Sequence, residues 1–273
     1  MSSIGDRLMI ESGIIDVFDE EGVNYTLEQV DALNEWWIPR GMYGGEKKGF
    51  APSEDTPIDF YTIGPATYLD RGMVYDMIKE ETQTVMKDWF DWTYETLVYC
   101  LWQEIGPCAI SSELGAPGFH VFSAKPGEPY KPASKEYLER PVATIHFDEQ
   151  QNSHQALWND YIDHGATVDL ENCLSFTLCL SAPKNGCGLS TWGEESVKCY
   201  DLNDDYSKHV KSLVYGGYGS PDAVIPYTPG KLFYFIGSLK HQMSPGFDLG
   251  ENDRRITLQG HGVKVNDVWE LYF

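Results

Sequence analysis

Positive charge is what this sequence has least of. Lys and Arg together number 20 against 42 Asp and Glu, leaving a formal net charge of -22. A surface of that sign repels phosphate backbones and anionic leaflets, so neither nucleic acid nor a membrane surface is an expected partner. Cysteine is sparse and without pattern: Cys100, Cys108, Cys173, Cys179, Cys187 and Cys199 form no C-x-x-C pair and no zinc-finger spacing. With 273 residues the chain can build a core without staples, so reduced thiols are expected. No stretch approaches the roughly 18 uninterrupted apolar residues of a membrane span, and Met1 to Gly13 has neither a basic nor an apolar segment. A soluble cytoplasmic protein is the expectation. Also missing are alternating βαβ units, a G-x-G-x-x-G loop, internal repeats and low-complexity tracts.

What is present is a packed interior. Hydrophobic residues make up 42%, charged residues 23% and aromatics 14%, the last pointing to a heavily packed core or an aromatic-lined pocket. The first part of the chain reads as helical. Leu27, Val30, Leu33 and Trp37 keep helical spacing over Tyr25 to Trp37, with Thr26 as expected N-cap and Pro39 and Gly41 as stops. Gly41 to Pro57 reads as a loop with solvated charges. A longer helix is predicted over Gly72 to Glu104, with Val74, Ile78, Val85, Trp89, Trp92, Leu97 and Leu101 as its apolar stripe and its Met and Trp residues in the core. Gly106-Pro107 ends it. Short apolar or alternating runs then follow: 119–122, 143–147, 174–180, 189–192, 231–236, 255–261 and 268–272. The fold class predicted is α+β with a mainly β core, a jelly roll or sandwich in one domain over 1–273, with 1–110 a mostly helical buttress and 111–273 the β core.

Two of the runs end in groups that can hold a metal. Pro141-Val-Ala-Thr-Ile-His-Phe-Asp148 leaves His146 and Asp148 two positions apart, on one side of a strand. Lys231-Leu-Phe-Tyr-Phe-Ile-Gly237 leads to His241. Two imidazoles and one carboxylate on one face of a metal is the arrangement of non-haem Fe(II) oxygenases. Alternation puts Arg255 on the same face as Thr257, Gln259 and His261, and Arg254 on the other, where a surface or ion-pair role is expected.

The ordered set resembles the Fe(II)- and 2-oxoglutarate-dependent oxygenase superfamily. The residues that carry the likeness are His146-x-Asp148, then Pro229-Gly230 before the apolar strand, Phe235-x-Gly237-x-x-x-His241-x-x-x-Pro245, and Arg255-x-Thr257. It covers about Phe119 to the C-terminus. The resemblance implies a double-stranded β-helix, a cupin-like jelly roll with the N-terminal helices packed on one sheet. It implies Fe(II) held by His146, Asp148 and His241, 2-oxoglutarate anchored by Arg255 and Thr257, and O2 as oxidant. Asp148 fills the position that halogenases of the superfamily leave to Gly or Ala, so hydroxylation or radical desaturation or cyclisation is implied instead. Gly118-Phe-His120 and Gly188-Leu-Ser-Thr-Trp192 are similar to stretches of the small-molecule tailoring branch. They imply a small, amino-acid-derived metabolite as substrate, in natural-product biosynthesis, with His120, Trp192, Gln259 and His261 as candidate substrate contacts. Protein-residue hydroxylation, a Zn-type hydrolase and a non-catalytic jelly-roll binding module are the alternatives. Asp148 to Asp169 and Tyr215 to Asp222 are the expected lid connections, and His154, His164 and His209 are expected to be solvated.

Overall fold

The computed structural model describes residues 11–40, 58–66, 69–70, 72–141, 144–148, 150–193, 205–250 and 252–273. The loop expected over Gly41 to Pro57 and Cys199 lie outside them. Among the described residues the chain builds an α+β structure. The strands are β1 Glu11–Asp16, β2 Ile38–Pro39, β3 Phe60–Ile63, β4 Cys108–Ile110, β5 Gly118–Phe122, β6 Val168–Ser181, β7 Leu189–Trp192, β8 Ala223–Ile225, β9 Lys231–Ile236, β10 Lys240–Met243, β11 Arg255–Val265 and β12 Val268–Tyr272. The helices are α1 Glu20–Ala32, α2 Met73–Ile105, α3 Pro132–Leu138, α4 Gln155–Asp163 and α5 Asp205–Ser212. A large sheet runs β1-β9-β6-β11-β5-β3-β2, with β12 beside β11 and β4 beside β12, and a small sheet runs β10-β7-β8. All pairings are antiparallel except β4 with β12.

One face of the large sheet is apolar and carries the helices. Ile256, Leu258, Leu174, Phe176, Leu178 and Phe119 pack there against Val30, Met86, Phe90, Leu97 and Leu101 of α1 and α2. Full burial of each such side chain contributes about 1.5–3 kcal/mol, so the sheet and the helices hold one another. The opposite face looks toward the small sheet, where Leu189, Ile225, Phe233, Phe235 and Leu239 form a second cluster.

The structure moves several sequence expectations. Helix α1 begins where the Gly22 amide donates to Asp19 Oδ1 at 2.9 Å, not at Thr26, whose hydroxyl is buried within the helix and donates to Gly22 O. Apolar spacing marks a helix face; the end is fixed by a side chain able to take an orphan amide, with Glu20 and Glu21 favouring the same terminus. Helix α2 has the expected span, but Val74, Trp89 and Trp92 are exposed, as are Met73, Met77 and Trp102. Its buried side is Tyr75, Thr82, Met86, Phe90, Thr93, Tyr94, Leu97 and Leu101, and the helix departs from helical dihedrals at Phe90. Two Thr residues on the buried side displace the apolar count, and Thr93 Oγ1 lies 3.3 Å from Thr26 Oγ1 of α1. The connection after Asp148 contains α4, whose Trp158 is fully buried. No helix among the described residues is long and apolar enough to cross a membrane.

At the outer edge of the inward face Arg40 and Asp70 form a buried bidentate pair, both bonds 2.6 Å. Arg40 Nε also donates to Thr62 Oγ1, and the Ala66 amide donates to Asp70. Removing one member leaves the other charge buried. Asp70→Asn is expected to lower unfolding free energy by about 3–5 kcal/mol, with part recovered when Arg40 is also replaced by Met. Urea unfolding of the single and double variants measures both.

Candidate metal centre

His146 and His241 are joined by their own backbones. The His146 amide donates to His241 O at 3.0 Å and the His241 amide to His146 O at 2.9 Å, an isolated antiparallel bridge. The expected strand over 143–147 is reduced, among the described residues, to this one bridge. It is nonetheless enough, because residues directly paired across an antiparallel bridge project to the same side. The two rings lie 4.5 Å apart between centroids.

Each ring is oriented by its own chain. His146 Nδ1 lies 2.7 Å from Thr144 O, and His241 Nδ1 lies 2.8 Å from Leu239 O. With Nδ1–H donated to a carbonyl, each neutral imidazole presents the lone pair of Nε2. Both Nε2 atoms face Asp148: His146 Nε2 is 3.5 Å from Oδ1 and His241 Nε2 is 3.6 Å from Oδ2. The three ligand atoms lie within 4.8 Å of one another. Two imidazole nitrogens and one carboxylate oxygen, with each ring held by a carbonyl at Nδ1, make a donor set that fits a divalent iron and leaves coordination positions for other ligands.

Burial alone would raise the Asp148 carboxyl. The charge of His241 and the hydrogen bond from His146 overcome it and hold the group well below the usual carboxylate range. Burial lowers His146, yet the hydrogen bond and charge of Asp148 and the Thr144 carbonyl leave it raised overall. At His241 burial wins over the attraction of Asp148, and its basicity falls. On acidification Asp148 therefore stays ionised and His146 takes the first proton.

Arg255 is buried with its guanidinium between two rings, 5.4 Å from the Phe122 centroid and 5.5 Å from that of Tyr227. Its Nε donates to Cys187 O at 3.0 Å. No carboxylate among the described residues lies within ion-pairing distance of it. A buried cation so placed fits a carboxylate ligand, since an uncompensated charge there is costly. Thr257 is fully buried on the same face, its hydroxyl accepting from Gln259 Nε2 at 3.1 Å. These residues fit the distal carboxylate of 2-oxoglutarate. Arg254, on the other face, pairs with Asp31 at 2.6 Å.

The remaining candidates divide. His261 lies beside Ser175 and Tyr272; its basicity is lowered by burial, then raised by the charge of Asp148 and lowered by those of His241 and His146. His120 is buried beside Arg255 and Arg40, against Phe60 and Phe273, and burial with those charges depresses it. Trp192 is not brought to the triad. It occupies the face of β7 opposite Thr191, packs on Tyr215 at 5.2 Å and donates to Gly219 O. Thr191, by contrast, is the cross-strand partner of His241 and its buried hydroxyl has no partner among the described residues. Its position in Gly188-Leu-Ser-Thr-Trp192 was visible, but only the pairing register reveals which residue of that run faces inward. Lys240 lies 5.4 Å over both Phe147 and Tyr218, linking the 215–222 connection to the segment that carries the triad. His164 is exposed, His209 lies with its ring 4.6 Å from that of Phe247 and tilted to it, and His154 is partly buried rather than solvated, because the 148–169 connection folds back as α4.

Because His146 holds a proton more tightly than a free imidazole, metal must displace it. Divalent-metal affinity is expected to fall by up to about tenfold per pH unit below the His146 titration and to level off above it. Calorimetric titration with Mn(II) between about pH 6 and about pH 8 checks this, and a flat profile contradicts the assignment.

No protein-family model matches the chain, and no curated protein matches it. Among solved structures, the chain is similar to the non-heme alpha-ketoglutarate-dependent epimerase SnoN from nogalamycin biosynthesis, at 11% identity and a TM-score of 0.45 over 93% of this chain and 80% of that one. It is also similar to an N-substituted L-amino acid dioxygenase from Burkholderia ambifaria AMMD, at 11% identity and a TM-score of 0.48 over 96% of this chain and 86% of that one. The structure of that dioxygenase in complex with alpha-KG gives 10% identity, a TM-score of 0.46 and the same coverage. The solved structures similar to this chain thus include an alpha-ketoglutarate-dependent epimerase and a dioxygenase solved with alpha-KG, at low sequence identity.

Proposed function

We propose that this chain is an Fe(II)- and 2-oxoglutarate-dependent oxygenase that oxidises a C–H bond of a small soluble metabolite in the cytoplasm. The observation that carries the reading is the triad itself: two histidines tied at Nδ1 to carbonyls, their Nε2 atoms turned on one ionised carboxylate. In this reading the two facing sheets are a double-stranded β-helix within a single domain. His146, Asp148 and His241 hold the iron. Arg255, with Thr257, anchors the distal carboxylate of 2-oxoglutarate. When bound, the pair supplies oxidation by O2 coupled to decarboxylation of the cosubstrate to succinate.

The chain's own part is positioning and exclusion of water. Asp148 supplies the negative charge that offsets part of the metal's, and the Thr144 and Leu239 carbonyls keep both rings in the ligating tautomer. His261, Gln259 and His120 continue the face that carries Arg255 and Thr257, and in this reading they meet the substrate. An amino-acid-derived molecule of natural-product biosynthesis, hydroxylated, desaturated or cyclised, is the substrate class the reading favours. Support comes from the motif resemblance and from the -22 net charge, which disfavours polyanions.

Anaerobic addition of Fe(II) and 2-oxoglutarate is expected to produce the visible charge-transfer band of the iron chelate. His146→Ala and Asp148→Ala should lose it. Arg255→Met should retain metal binding but weaken 2-oxoglutarate by roughly 30-fold or more, the loss expected for a buried charge pair. A parent protein without the band, or a His146→Ala variant that keeps it, sinks the reading.

A further inference from the structure

The inward face carries a row of polar side chains that the iron and cosubstrate assignments leave unused. In the register of the large sheet Ser175, His261 and Tyr272 are neighbours across β6, β11 and β12, so their side chains share one side. Ser175 Oγ lies 3.3 Å from His261 Nδ1, and the His261 and Tyr272 rings are 6.0 Å apart. The His154 ring, at the start of α4, stands edge-on to Tyr272 at 5.5 Å and 5.0 Å from Tyr75.

Two polar atoms in this group have no partner among the described residues. The hydroxyl of Tyr272 is unpaired although the residue is 0% exposed, and so is the buried Nε2 of His154. Buried polar atoms are paired in the great majority of cases, so two orphans on adjacent rings mark a place for a shared partner. Tyr75 supplies the contrast. Its hydroxyl accepts from the Gly115 amide at 3.0 Å and donates to Phe273 O at 3.3 Å, so it is already in use.

We propose that Tyr272 and His154, beside His261 on the inward face, form a substrate subsite that takes an uncharged hydroxyl or carbonyl group. The proposal rests on the oxygenase reading above, since it assigns the occupant to that enzyme's substrate. A phenol hydroxyl both donates and accepts, and a neutral imidazole nitrogen does one or the other, so a hydroxyl or carbonyl satisfies both atoms. An ion would not be compensated by two uncharged groups. Both are uncharged near neutrality: burial, opposed by Asp76 and aided by Lys79 and His261, pushes the His154 imidazole down to about 4. Burial first, then Cys173, Tyr75 and Asp148, raises the Tyr272 phenol well above its ordinary value.

The test uses fluorine NMR on the full chain loaded with Mn(II) and 2-oxoglutarate, with 4-fluorophenol, fluorobenzene and 4-fluorobenzoate as probes. The expected result is that 4-fluorophenol binds more tightly than the other two and is broadened by the metal. Tyr272→Phe should weaken 4-fluorophenol about fivefold, leave fluorobenzene unchanged and keep the parent's unfolding temperature, because the deleted hydroxyl has no partner among the described residues. His154→Leu should weaken the same probe selectively. Equal affinity for 4-fluorophenol and fluorobenzene, no binding of 4-fluorophenol, or unchanged binding in Tyr272→Phe overturns the subsite. A lowered unfolding temperature in Tyr272→Phe with unchanged probe affinity also overturns it, by assigning the hydroxyl to structure. Those results leave Mn(II) uptake by the triad, read from water proton relaxation, unaffected. Tyr272-dependent binding in a protein that takes up no Mn(II) instead overturns the oxygenase reading, and with it the assignment of the occupant to a substrate.

Discussion

The reciprocal backbone pair between His146 and His241 is the constraint on which the site depends. Two hydrogen bonds near 3 Å bring segments almost a hundred residues apart in sequence into one register, and that register decides that both imidazoles leave on the same side. A shift of one residue would turn one ring to the opposite face. His241 is simultaneously held by β7 through its pairing with Thr191, so the small sheet fixes one ligand and the bridge transmits that position to the other. The Nδ1 bonds to Thr144 and Leu239 repeat the device at the level of the ring, each using the carbonyl two residues earlier. Asp148 then needs only to follow His146 by two positions for its carboxylate to lie between the two Nε2 atoms.

The same interior shows how a polar face survives inside a fold. Its outer edge carries Arg40, neutralised by Asp70 in a bidentate pair, and next to it Thr62, His120 and Thr257 lie in one cross-strand row. His120, beside two guanidinium groups, is kept from protonating by burial and by those charges. Arg255 differs from Arg40 in having no carboxylate within pairing distance among the described residues, while aromatic faces and the Cys187 carbonyl hold it in place. Two arginines on one face thus play opposite parts. One is closed by a protein carboxylate, and the other, without one among the described residues, fits a carboxylate ligand.

Much of this was readable from residue order. β7, β9 and β12 fall where alternation or apolar runs placed them, and the inward set Arg255, Thr257, Gln259 and His261 follows from period two alone. The group that could hold a metal was assembled from His146-x-Asp148 and His241 because the motif is local at each end. What could not be read depends on pairing and packing. Nothing in Trp37-Ile-Pro-Arg40 signals a buried ion pair with Asp70, because the partner is chosen by tertiary contact. Trp192 and Thr191 are adjacent in sequence and lie on opposite faces of β7, so only the register with β10 separates an outward tryptophan from an inward threonine. Trp89 and Trp92 were misplaced for a related reason. A stripe counted by hydrophobicity alone passes over Thr82 and Thr93, both buried, Thr93 against Thr26 of α1 and Thr82 with its hydroxyl donated back to Ile78 O within α2.

The chain's beginning and end meet in the large sheet, and this ties the helices to the site. β1 pairs with β9, the strand that leads to His241, while β3 pairs with β5, whose His120 faces Thr257 of β11. β12 runs parallel to β4, which follows directly on α2, and the Ser111, Trp269 and Phe273 amides bond to Leu271, Pro107 and Gly115 carbonyls across that seam. Displacing α2 would therefore strain β4 and β12 together. Gly118 makes the coupling tight: a Cβ there would meet the Phe273 ring at 1.9 Å and Ile63 O at 2.7 Å, so the last aromatic ring fits only over a residue without a side chain. Phe273 in turn lies 5.3 Å from His120. The position of a polar residue on the inward face is thus set by the same packing that seats the C-terminal strand.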